Sequence, residues 1–140
     1  MIVLDTDVVS LLIRSGSASP SLQWLDAQRR EDVWVTSITR YELEYGVCLL
    51  PAGQRRALLG SQIAEFLRHG FSGRMLSVDE EAGLQAAKLA AKRKCEGLNI
   101  ALADTLIAGI AISRQAAIAT HNLRHFVDTG LKVVDPMNPL

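Results

Sequence analysis

Cysteine is scarce in this 140-residue chain, with Cys48 and Cys95 its only two. A disulfide framework is thereby excluded, and both thiols read as reduced residues of the core. Charge of one sign is missing too. Lys+Arg and Asp+Glu both total 15, which argues against nucleic-acid binding by bulk charge while leaving room for a local basic patch. No apolar stretch approaches the ~18 residues a membrane span needs. The longest candidate, Ile100 to Ile112, is too short and carries Asp104. No basic segment precedes the opening Ile2-Val3-Leu4, so a secretory signal is not expected and the protein reads as cytoplasmic. Repeats, linkers and low-complexity segments are absent, and the length suits one domain over 1–140.

What is present is an ordinary globular composition, 49% hydrophobic and 21% charged, with room for a sizeable core. Ile2 to Leu4 suits a buried strand closed by Asp5, followed by a short helix from Val8 to Ile13. Ser15 to Pro20 reads as a loop, and Ser19-Pro20 as the N-cap and first residue of a helix through Leu25. Val33 to Thr36 is β-rich. Helices follow over Ile38 to Leu50 and over Gln54 to Arg68, the second ending on Gly70 as its C-cap. Met75 to Val78 reads as a strand. Asp79-Glu80-Glu81 and Lys92-Arg93-Lys94 mark the two ends of a long alanine-rich helix. A helix over Ala101 to Gln115 and strands at Ala117 to Thr120 and Leu131 to Val134 complete the chain. Strands alternating with helices predict an α/β fold with a mainly parallel sheet flanked by helices. Ligands in such sheets bind beyond the carboxyl ends of the strands, here at Asp5, Ser37, Asp79, Thr120 and Asp135.

Three acids lack an ordinary explanation. Asp5 follows the buried run directly, though it also suits a turn or an N-cap. Glu42 has Ile38, Tyr45, Gly46 and Leu49 at helical spacing and so falls on an inward stripe, unlike Glu44, which faces Arg40 one turn away. A stripe-edge glutamate reaching water is the alternative. Asp104 is flanked by Ile100, Ala101, Ile107, Ala108 and Ala111, an apolar face on which a carboxylate is costly unless compensated. An N-cap in a later-starting helix, or a buried arginine, would also compensate it. Several inward acids are best explained by a shared cation, and oxygen donors select Mg²⁺ or Mn²⁺. His69, His121 and His125 read as surface or turn residues. His121 and His125 are four apart, but Asn122 stands where a zinc-protease motif has glutamate.

Leu4-Asp5-Thr6, Ser37-Ile38-Thr39-Arg40-Tyr41-Glu42-Leu43, Ala103-Asp104-Thr105-Leu106-Ile107-Ala108, and Thr120-His121-Asn122 with Phe126 and Gly130 to Pro136 together resemble a PIN domain. Within that family the resemblance is to VapC-type toxins of bacterial toxin–antitoxin pairs, including the FitB-like branch, and it spans essentially the whole chain. It implies a three-layer α/β/α fold and a metal-dependent ribonuclease with Asp5, Glu42 and Asp104 as ligands of Mg²⁺ or Mn²⁺. A fourth family position, often Asp, falls on Asn122, which keeps a carbonyl ligand but loses a charge and leaves the number of metals open. Thr6 and Thr120 match hydroxyl positions beside the site. The resemblance also implies a homodimer and a VapB-like antitoxin that supplies any DNA binding.

RNA approach to an acidic pocket needs nearby bases, and Arg40, Lys92, Arg93, Arg114 and Arg124 are the candidates. Two other readings remain open. Leu4 to Val9 also fits the first motif of a haloacid-dehalogenase-like phosphatase, with Asp5 as nucleophile. Asn122 admits a non-catalytic PIN-like partner in a DNA-binding antitoxin complex.

Overall fold

Ile2-Val3-Leu4 forms the central strand of the sheet because its side chains have two apolar layers to enter. In the computed structural model, which describes residues 1–15 and 18–139, Val3 packs into one hydrophobic cluster and Leu4 into another. Trp34 and Val35, and then Ile118 and Ala119, divide in the same way. The period of two along a strand thus fills both faces of one sheet.

The strands are β1 (Ile2–Leu4), β2 (Val33–Thr36), β3 (Met75–Leu76), β4 (Ala117–Ala119) and β5 (Val133–Val134). Their order is β3-β2-β1-β4-β5, and every adjacent pair is parallel. Ile2 lies opposite Val33 on one side and Ala117 on the other. The helices are α1 (Thr6–Arg14), α2 (Pro20–Asp26), α3 (Ser37–Cys48), α4 (Gln54–Phe71), α5 (Glu80–Cys95) and α6 (Leu102–Arg114). Residues of α1, α3 and α4 fill the cluster containing Leu4, while α5 and α6 fill the one containing Val3. This is the expected α/β/α arrangement. Among the described residues no helix is long and apolar enough to cross a membrane.

Caps explain most helix starts. Asp5, Ser19, Thr36 and Asp79 each accept a backbone N–H at the beginning of α1, α2, α3 and α5. The loop read at Ser15 to Pro20 includes Gly16 and Ser17, which lie outside the described residues. Three expectations need correction. Helix α4 does not stop on a Gly70 cap. It continues to Phe71, which is buried, and the Arg74 side chain takes the Gly70 carbonyl while its guanidinium lies 5.0 Å over the Phe71 ring. Gly73 supplies the left-handed turn instead, at φ 74°. Cys48 and Cys95, at the ends of α3 and α5, are exposed rather than core. The β3 and β5 strands, Met75–Leu76 and Val133–Val134, are also shorter than the runs Met75 to Val78 and Leu131 to Val134.

Helices α5 and α6 approach closely at Gly109. A Cβ there would stand 2.6 Å from the Ala82 carbonyl oxygen and 2.6 Å from the Ala86 Cβ. Beneath them, Arg93 of α5 is buried. Its Nε and Nη2 each donate to the Asp128 carboxylate at 2.8 Å, its Nη1 donates to Thr105 Oγ1 at 2.9 Å, and its Nη2 also reaches the His125 carbonyl oxygen. One guanidinium therefore ties α5 to the start of α6 and to the segment after β4. It holds Asp128 below the usual carboxylate range through those hydrogen bonds, burial acting the other way.

Candidate active site

Parallel pairing sends β1 and β4 toward one edge of the sheet, and the chain leaves each strand on a polar residue. Asp5 follows β1 and Thr120 follows β4, and both are buried. The Thr120 hydroxyl donates to Asp5 Oδ2 at 2.8 Å, while the Thr6 backbone N–H donates to Oδ1 at 2.8 Å. Asp5 thus serves as N-cap and site residue at once. Its neighbour Thr6 turns toward α3, where its hydroxyl donates to Glu42 Oε1 at 2.7 Å and lies 3.0 Å from Thr39 Oγ1.

These side chains open on one cavity of about 540 Å³. Asp5, Thr6, Asp7, Glu42, Asp104 and Asn122 form its polar end, and Ile13, Leu43, Leu50, Leu59 and Ile63 form an apolar wall. Arg14 and Arg55 are the bases that line it. The three acids singled out from sequence are therefore brought together, with Thr6 and Asn122. Thr120 stands behind Asp5 rather than on the cavity wall, and its Oγ1 also accepts the Asn122 backbone N–H at 2.9 Å.

Electrostatics mark Asp5. Burial, and then the neighbouring Asp7 carboxylate, push its carboxyl up to about 7, with Asp104 adding in the same direction. The hydrogen bonds from Thr120 and Thr6 act against the rise. Asp7 is raised as well, by burial first and Asp104 in addition, with His121 opposing. Like charges gathered in a partly closed cavity disfavour ionisation until a cation joins them.

Two sequence arguments arrive at the right residue by a partly wrong route. Glu42 is half-buried, but Tyr45 and Leu49 beside it are 54% and 66% exposed. Its face is the rim of the cavity, not an inward stripe. Asp104 does lie beside buried Ile107, Ala108 and Ala111. It sits in the first turn of α6, however, where an acid suits the helix dipole, and its partner is neither a cap nor an arginine. His125 Nδ1 lies 2.7 Å from Asp104 Oδ2.

Other residues were passed over. His125 and His121 read as turn residues, yet both face carboxylates. His121 Nδ1 is 2.8 Å from Asp135 Oδ1, and its backbone N–H donates to Asp7 Oδ2. That contact and the Met137 N–H outweigh burial and lower the Asp135 carboxyl below its usual range. Asp7 carries no pattern in the sequence that sets it apart, yet it lines the same cavity. Of the proposed RNA-binding bases, Arg93 is buried and committed to Asp128, Arg114 pairs with Asp79 at 3.3 Å, and Arg40 pairs with Glu44 at 2.9 Å. Arg40 and Arg124 are exposed but are not among the cavity-lining residues. Arg55 stands in the first turn of α4, where a base opposes the helix dipole, but Arg56 beside it does the same without lining the cavity, so the sequence does not single it out.

A family profile described as PIN domain matches residues 2–131. The chain belongs to the PIN-domain family. Within that family it is 34% identical over 139 residues to VapC ribonuclease Y4jK of Sinorhizobium fredii, covering 99% of both chains. It is 33% identical to Toxin FitB of Neisseria gonorrhoeae, covering 97% of this chain and 98% of the relative. A solved structure of FitAB bound to an IR36 DNA fragment superposes with a TM-score of 0.88 at 31% identity, covering 100% of this chain and 98% of that one. This PIN domain therefore falls in the VapC- and FitB-like branch. The match also sets aside the phosphatase reading of Leu4 to Val9, and no lysine is among the residues that line the cavity.

Proposed function

We propose that this PIN domain is a divalent-metal-dependent endoribonuclease, the toxin of a toxin–antitoxin pair. One observation carries the reading. Asp5, Asp7, Glu42 and Asp104, from three different helices and the end of the central strand, converge on one cavity beside two arginines. The VapC ribonuclease and FitB toxin relatives support the choice of RNA and of the toxin role.

The donors fit Mg²⁺ or Mn²⁺. They are all oxygen, and Asp5 is only 3% exposed yet crowded by other carboxylates, a cost that a cation would relieve. Among the described residues no group of three His, Cys, Asp or Glu side chains is already placed to hold a metal ion. Mg²⁺ keeps several waters and takes few protein ligands directly. Asp5, Glu42 and Asp104 would hold it, directly or through those waters, with Asn122 beside them. When bound, such an ion polarises the scissile phosphate and lowers the pKa of a water.

The chain's own residues do the remaining work. Thr120 and the Thr6 N–H fix the two oxygens of Asp5, and the Thr6 hydroxyl fixes Glu42. His125 orients Asp104 from behind. Arg14 and Arg55 draw the RNA backbone toward an otherwise acidic pocket.

An extended antitoxin segment is the regulator this reading expects, with a homodimer as the toxin's own assembly and DNA contacted through the antitoxin in the cytoplasm. The FitAB structure on DNA supports a toxin–antitoxin complex that binds DNA. Purified protein with Mg²⁺ or Mn²⁺ is expected to cleave RNA endonucleolytically, and Asp5→Asn and Asp104→Asn to abolish cleavage while circular dichroism stays unchanged. Cleavage at the parent rate by both variants would refute the assignment.

A further inference from the structure

We infer that Asp7 is the fourth acid of this site, supplying from α1 the negative charge that Asn122 lacks on the segment after β4. The inference rests on the metal-dependent reading above and extends it to a residue which that reading leaves unassigned.

The geometry of the pair is the starting point. Asn122 Nδ2 donates to Asp7 Oδ2 at 3.2 Å, and the His121 backbone N–H donates to the same oxygen at 3.1 Å. The carboxylate and the carboxamide therefore abut, across 115 residues of sequence. Both residues line the cavity that holds Asp5, Glu42 and Asp104. A clip between α1 and the segment after β4 needs one acceptor, and Oδ2 fills that role for both donors.

The other oxygen has no such duty. Asp7 Oδ1 is closed off from solvent and meets no full hydrogen-bond partner among the described residues, although the Val8 backbone N–H also favours the ionised carboxyl. A carboxylate oxygen left in that state is costly, and a nearby cation is the partner that suits it. A histidine does not take this role. The His121 ring is turned to Asp135 through Nδ1, and it meets Asp7 through its backbone N–H.

Charge counting points the same way. An Asp–Asn pair holds one negative charge and one amide donor whichever member is the acid. With the acid at 7, the amide at 122 donates to it. With the acid at 122, an amide at 7 donates in return. The site keeps its charge in both arrangements, so Asn122 does not reduce the number of carboxylates facing the cation.

The test is Mn²⁺ binding by the isolated chain, followed as free Mn²⁺ by electron paramagnetic resonance. Asp7→Asn is nearly isosteric and keeps an oxygen to accept the His121 N–H. It is expected to weaken Mn²⁺ binding by about 10- to 100-fold. Adding Asn122→Asp to that variant is expected to restore binding close to the parent's. Asp104→Asn serves as the reference for the site itself. If Asp104→Asn loses Mn²⁺ while Asp7→Asn binds as the parent does, Asp7 is only a clip and the inference is overturned. A double variant as weak as Asp7→Asn overturns it too. If neither single variant alters Mn²⁺ binding, the metal-dependent reading fails and takes the inference with it. Should Asp7→Asn not fold, Asp7→Ser removes the same charge and keeps an oxygen for the His121 N–H. Mn²⁺ binding weakened by about 10- to 100-fold is expected there too, and parent affinity overturns the inference.

Discussion

Asp5 offers a test in which a residue proposed to hold the metal is a burden on stability. Its carboxyl is raised from 3.8 to about 7 by burial and by Asp7 and Asp104. Between those two values the folded state holds a proton that the unfolded state has released. Stability of the metal-free protein therefore falls as pH rises from about 4 to about 7, and the full penalty is present above that window. At about 1.4 kcal/mol per unit, the ionised Asp5 costs about 4 kcal/mol at pH 8. Asp5→Asn removes the ionisation and keeps an acceptor for the Thr6 N–H. The Thr120 hydroxyl then faces an amide instead of Oδ2, which gives back about 1 kcal/mol. Urea unfolding in a chelator at pH 8 is expected to show the variant more stable than the parent by about 3 kcal/mol, and at pH 4 the two nearly equal. Mg²⁺ is expected to stabilise the parent at pH 8 and do little for the variant. An Asp5→Asn protein no more stable than the parent at pH 8 would refute the electrostatic account of this cavity.

Three further outcomes test other parts of the structure. Arg93→Met strands the Asp128 carboxylate and is expected to cost about 3 kcal/mol in urea unfolding, the low end for a broken buried pair because Asp128 keeps 13% of its exposure. In the parent, the stability that Arg93 lends through Asp128 is present above 3.8 and is lost as pH falls below it, and the variant is expected to lose that acid limb. Gly109→Ala drives a methyl into the Ala82 and Ala86 backbone and is expected to destabilise by about 1–3 kcal/mol, read as a lowered thermal midpoint. Arg14→Ala with Arg55→Ala is expected to weaken RNA binding and flatten its salt dependence, measured by fluorescence anisotropy over a salt series, with Arg40→Ala as the contrasting variant.

The parallel sheet and its layers were legible because short apolar runs alternate with well-capped helices. Ser19, Asp79 and the Val33 to Thr36 run carry that signal without help from elsewhere. The acids were legible for a related reason. Asp5 ends a buried strand, and Asp104 interrupts an apolar face, so each breaks a local pattern. What escaped was contact between segments far apart in sequence. The pairing of His125 with Asp104, of His121 with Asp135, and of Asn122 with Asp7 leaves no mark on the spacing of either partner. The buried Arg93 was hidden for the opposite reason. It fits a dipole pattern so well, among Lys92 and Lys94, that its role inside the fold is indistinguishable from theirs on the surface. Cys48 and Cys95 show that a residue type's average burial does not fix which side of a helix it falls on.

The order of strands carries a consequence for synthesis. β1 is made first, but it lies between β2 and β4, and its last neighbour is among the final quarter of the chain to be translated. Until β4 arrives, Asp5 has neither the hydroxyl of Thr120 nor the segment bearing Asn122. Parallel pairing across so long a separation is also slow to form. A nascent or truncated copy therefore carries the acids without their final arrangement, and under the proposed function a ribosome making this protein is not exposed to nuclease activity until the chain is nearly whole.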